Sequence, residues 1–119
     1  MRKLMLISIL LFSCYTASLE ELTKETPHGV YLREAQKAMN LNDYQSALSV
    51  YEKMIKNHKG SSSVVATGKY EIAFINYITG KKETAKNLFE ELIKSGTKTP
   101  RWILTLSKKM IEKIEKTKA

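Results

Sequence analysis

Asn42-Asp43-Tyr44-Gln45-Ser46-Ala47-Leu48-Ser49-Val50-Tyr51-Glu52-Lys53-Met54-Ile55 is the stretch on which the reading of this chain turns. Asn42 and Asp43 belong to a turn, and Asp43 stands where an N-cap carboxylate accepts from the first free amides of a helix. Ala47, Leu48, Val50, Tyr51, Met54 and Ile55 then follow at helical spacing and form one apolar face. The pattern returns 38 residues later, with Ala85, Phe89, Leu92 and Ile93 answering Ala47, Tyr51, Met54 and Ile55, and Ala73 answering Ala35. A register held over that distance marks two copies of one supersecondary unit. A generic five-helix bundle would show the amphipathic pattern without the register.

Working outward, Tyr31, Leu32, Ala35, Ala38, Met39 and Leu41 predict a helix ahead of the turn. The helix after the turn fades at Asn57-His58-Lys59-Gly60, and Ser61, Ser62 and Ser63 offer caps for a third. That third helix is apolar at Val64, Val65, Tyr70, Ile72, Ala73, Phe74, Tyr77 and Ile78 and ends at Gly80. A fourth carries Ala85, Leu88, Phe89, Leu92 and Ile93 and stops at Ser95-Gly96. Thr99 is expected as the N-cap of a fifth, with Pro100 at its first helical position. Trp102, Ile103, Leu106, Met110 and Ile114 form its apolar stripe, and its other side is lysine. No segment alternates with period two for long enough to predict a strand. The expected fold is all-α, with a helical domain over 29–119. It comprises repeat one (29–60), repeat two (62–96) and a C-terminal capping helix (100–118).

The repeats resemble the tetratricopeptide (TPR) family, whose helix A carries small and aromatic residues and whose helix B carries alanine-x3-aromatic. Tyr31, Glu34, Ala35 and Ala38 fill the helix A positions of repeat one, and Ala47 with Tyr51 fill helix B after Asn42-Asp43-Tyr44. Lys69, Ile72, Ala73 and Asn76, then Gly80, Ala85 and Phe89, do the same in repeat two. Alanine permits the close approach of helices A and B, and the aromatic four residues on fills the wedge between repeats. The chain departs from the family in spacing, 38 residues against about 34. The four-residue excess is expected to lengthen the turn around residues 59–63. Lys59 and Thr97 replace the family proline, and Glu34 and Lys69 are polar where the family is apolar.

A TPR stack lines its concave surface with helix A. That resemblance implies a partner-binding groove formed by Leu32, Gln36, Met39 and Asn40 in repeat one and Tyr70, Phe74, Tyr77 and Ile78 in repeat two. Aromatic and methionine surface with amide handles suits an extended or helical peptide. In so short a stack Phe74 and Ile78 can instead pack against the first and last helices, and a core position is the alternative for Tyr70 and Tyr77 as well.

The N-terminus carries a second signal. Arg2 and Lys3 precede an apolar run from Leu4 to Phe12, a secretory leader too short to span a bilayer. Leu11-Phe12-Ser13-Cys14 resembles the processing site of bacterial lipoproteins, although Phe12 is bulkier than the usual small residue there. The thiol of Cys14, the only cysteine, would take a diacylglyceryl group before cleavage, leaving 106 residues. Residues 1–13 are thus expected as the signal peptide and 14–28 as a lipidated, mostly flexible tether. Two or three acyl chains make a lasting anchor. With Cys14 acylated no thiol remains for a disulfide. A non-lipidated secretory signal with an incidental cysteine is the alternative.

The formal net charge of +8 is unevenly placed. Residues 20–80 balance, whereas residues 81–119 carry eleven basic and five acidic side chains. Lys108, Lys109, Lys113 and Lys116 make a basic face that fits a solvated helix back, anionic headgroups or an acidic protein surface. An exported lipoprotein rarely meets nucleic acid. No HExxH, CxxC, GxSxG or glycine-rich phosphate loop occurs, so no catalytic, metal or cofactor site is expected, nor any small-molecule substrate. His28 falls in the tether, and His58 ends a helix, where a protonated ring favours the dipole.

Tyr31-Leu32-Arg33-Glu34-Ala35 and Asp43-Tyr44-Gln45-Ser46-Ala47, behind a lipoprotein signal, resemble the BamD family of TPR lipoproteins. Over residues 28–95 this resemblance implies an outer-membrane-anchored, periplasm-facing scaffold that docks on the barrel-forming subunit of β-barrel assembly. BamD proteins have about five repeats where this chain has two and a cap. A pilotin-like TPR lipoprotein for a secretin and a cationic envelope protein binding anionic lipid are the alternatives.

Overall fold

The computed structural model describes residues 19–118, so Cys14 and the leader lie outside the described residues. Among these the fold is all-α: α1 (His28–Asn40), α2 (Tyr44–Asn57), α3 (Ser62–Ile78), α4 (Lys82–Lys94) and α5 (Arg101–Lys116). Short 3₁₀ turns occupy Leu19–Glu21 and Gly96–Lys98. Each helix packs on the next, and α3 also touches α5. This is the arrangement of two TPR-like hairpins followed by a capping helix.

The 38-residue register is visible in the backbone. α1 ends at Asn40 and α3 at Ile78; α2 begins at Tyr44 and α4 at Lys82. Asn42 (φ 56°) and Gly80 (φ 87°) occupy the same left-handed position in the two hairpin turns. The amide of Asp43 donates to the Ala38 carbonyl, and that of Lys81 to the Asn76 carbonyl, both at 2.9 Å. These bonds satisfy carbonyls left open at the helix ends. The turns differ in their caps. Asp43 accepts from the Ser46 amide at 3.1 Å and from the Ser46 hydroxyl at 2.6 Å, whereas Lys81 offers no side-chain cap.

Two helix starts depart from expectation. The four extra residues of the repeat do not lengthen the α2–α3 turn. They extend α3 to 17 residues against 13 in α1, with Ser61 capping the added turn through the Val64 amide. Ser61 supplies the side-chain oxygen that a cap needs, and the helix starts directly after it. Thr99, expected as an N-cap, is buried instead, and its hydroxyl donates to the Leu92 carbonyl at 3.0 Å. Pro100 takes the cap position and α5 begins at Arg101.

The core has two lobes sharing α3. One gathers Tyr31, Ala35, Ala38, Ala47, Val50, Tyr51, Met54, Val64 and Ile75 from the first hairpin and α3. The other gathers Ala66, Tyr70, Ala73, Ala85, Phe89, Leu92, Ile103, Met110 and Ile114. α3 is apolar on two faces because it is buried from both sides. Gly68 permits the closest approach: a Cβ there would stand 2.6 Å from Cγ1 of Ile55 on α2.

The end of the expected tether is part of the domain. Leu22 is buried in the first lobe. The Tyr31 hydroxyl donates to the Thr23 carbonyl at 2.6 Å and accepts from Asn57 Nδ2 at 2.7 Å. Lys53 Nζ bonds the Leu19 carbonyl, and His58 Nε2 lies 2.8 Å from the Thr26 carbonyl. A flexible spacer over 14–28 is therefore corrected for residues 19–27. Leu19 and Leu22 supply the apolar contacts, and three polar side chains of α2 and its C-cap (Lys53, Asn57 and His58) bind the backbone.

Candidate functional site

α1, α3 and the start of α5 enclose a concave groove of about 580 Å³. α1 contributes His28, Leu32 and Gln36 to its wall, spaced four apart on one helix face. α3 contributes Val64, Thr67 and Glu71, and α5 contributes Trp102. Tyr51 of α2, Ser61 and Ser63 complete the lining. Trp102 is 50% exposed although its indole stands edge-on to Tyr70 at 6.1 Å.

Of the groove residues expected from sequence, Leu32 and Gln36 line this hollow. Asn40 is exposed and accepts from Gln36 Nε2 at 2.9 Å. Met39 packs on the first lobe, and Phe74 and Tyr77 pack on the second with their rings 6.4 Å apart. Tyr70 is corrected from groove to its core alternative: it is buried with its ring centroid 5.6 Å from that of Phe89, and Trp102 of α5 stands edge-on to it. Ile78, expected either in the groove or packed, is 41% exposed at the end of α3.

Sequence reading missed Thr67, Glu71 and Trp102 as groove residues. Their signal was present in part: Glu71 is the one acidic residue inside the apolar run of α3. Its carboxylate is half-buried and makes no hydrogen bond or ion pair among the described residues. Burial holds its carboxyl above the ordinary carboxylate range. Burial first, and then the Glu71 charge, push the hydroxyls of Tyr51 and Tyr70 up.

Lys108, Lys109, Lys113 and Lys116 are exposed on α5 and form no ion pair among the described residues. α5 and the turn that follows it are tied to α4 by other charges, Lys86 to Glu115 at 2.6 Å and Lys118 to Glu83 at 2.8 Å. A second hollow of about 420 Å³ brings Lys59, Lys69 and Lys98 together between the α2–α3 turn and the end of α4. Among the described residues no group of His, Cys, Asp and Glu gathers to hold a metal ion, and no helix is long and apolar enough to cross a membrane. No family model, no curated protein and no solved structure matches the chain.

Proposed function

We propose that this protein is a membrane-anchored, periplasm-facing scaffold whose concave groove docks a segment of another envelope protein, as an accessory subunit of outer-membrane β-barrel assembly. One observation carries the docking reading: a half-exposed tryptophan in a hollow walled by Leu32 and Val64 and edged by Gln36 and Thr67. Apolar side chains interleaved with hydroxyl and amide groups suit the binding of a peptide segment. The role is binding rather than catalysis. The anchor rests on Arg2, Lys3, the Leu4–Phe12 run and Cys14, with acyl groups on Cys14 as the covalent attachment. The assembly-machine partner rests on the resemblance of residues 31–35 and 43–47 to the BamD family.

The unpaired lysines of α5 favour a second reading, attraction to anionic lipid headgroups. The test is capture of the native lipoprotein from detergent-solubilised membranes with mass spectrometry of what accompanies it. Recovery of a large outer-membrane β-barrel protein with periplasmic repeat domains is expected. Recovery of a secretin, or of lipid alone lost on reversing the charge of Lys108, Lys109 and Lys113, would reject that partner.

A further inference from the structure

Glu71 is out of keeping with its surroundings. The chain has twenty lysines and arginines, yet none of them pairs with this half-buried carboxylate among the described residues. Desolvating a carboxylate without a counter-charge is unfavourable, and folded chains usually relieve it with a cation or several amide donors. The other polar side chains that line the groove with it are His28, Gln36, Tyr51, Ser61, Ser63 and Thr67, with no lysine or arginine among them. The nearest lysine in sequence, Lys69, lines the other hollow.

We propose that the groove takes a peptide segment presenting a lysine or arginine side chain, whose cation pairs with Glu71 while its stem lies along Leu32 and Val64. The proposal deepens the docking reading and rests on it. Three features fit such a side chain. The carboxylate is unpaired and sits inside the hollow. The aliphatic wall matches the methylene stem of a long cationic residue. The exposed Trp102 ring offers a face on which the cation gains further attraction. Gln36 and Thr67 stand where a peptide backbone could bond. A charge-assisted pair formed in a partly desolvated groove is stronger than one on open surface.

The experiment uses the full lipidated chain in its native membrane, with a benzophenone amino acid placed at Thr67, one helical turn from Glu71. Ultraviolet irradiation and mass spectrometry identify the attached segment. That segment is then made as a synthetic peptide, with a second version in which citrulline or acetyl-lysine replaces its basic residue. The expected result is an adduct on a segment containing lysine or arginine. Either the neutral replacement or Glu71→Gln then weakens peptide binding at least tenfold, and the two changes together weaken it no further. Thr67 crosslinks to no protein if the docking reading itself is wrong. A crosslinked segment without a basic residue, or one bound equally by Glu71→Gln, keeps the docking reading and overturns the cation pairing. Circular dichroism of Glu71→Gln separates lost binding from lost folding.

Discussion

The Tyr31 hydroxyl touches the Thr23 carbonyl and Asn57 Nδ2 at once, so one oxygen joins the N-terminal segment, α1 and α2. Tyr31→Phe keeps the buried ring and removes both bonds. The expected cost is about 1–2 kcal/mol, and faster amide exchange confined to residues 19–27 is the reading that checks it. Ser107 poses the opposite case. It is wholly buried on α5, and its hydroxyl has no partner among the described residues. Ser107→Ala is expected to stabilise the domain by about 1 kcal/mol, since it removes an unsatisfied polar atom and improves helix propensity; denaturant unfolding measures it. Glu71 links stability to pH. Its folded-state carboxyl binds a proton more readily than in the unfolded chain, so stability is greatest with the carboxyl protonated and falls as pH rises through its folded value. Glu71→Gln should therefore melt above the wild type at neutral pH, and the gap should close at about pH 3.5, below the unfolded value.

At the scale of the elements, the hairpin turns follow from local chemistry. Asn42 and Gly80 both tolerate the left-handed position, and that equivalence was visible in the 38-residue register of the sequence. The cap was legible in the first hairpin, where Asp43 bonds Ser46. In the second hairpin Lys81 leaves the same position without a side-chain acceptor. Lys81→Asp is expected to raise stability by about 1 kcal/mol, seen as a higher melting temperature with unchanged helical content. The helices themselves were readable because their apolar positions recur at three and four. Where the four-residue excess goes was not readable, because Ser61, Ser62 and Ser63 serve equally as a longer turn or as a cap followed by an extra helical turn. Tyr70 was misplaced for a different reason. Family register assigns it to the groove, but that register describes a stack with more repeats, and here α5 covers the ring. Thr67 and Glu71 escaped notice because the polar residues of α3 fall on more than one side of it, and only the packing shows which of them line the groove.

On the scale of the whole molecule, five helices pack into two core lobes, with a concavity between α1, α3 and α5. The folded domain reaches back to Leu19, so any anchor at Cys14 is joined to it by only the few residues 15–18. The groove is the part of this account on which function depends. Trp102 is the only tryptophan of the chain and lines that groove, so it reports on occupancy directly. The decisive measurement is the fluorine NMR signal of the 5-fluorotryptophan-labelled protein during titration with its captured partner. A saturable shift of the Trp102 resonance, abolished by Thr67→Arg in a chain that still folds, is the result this account predicts. Binding that saturates while the Trp102 resonance stays in place would contradict it.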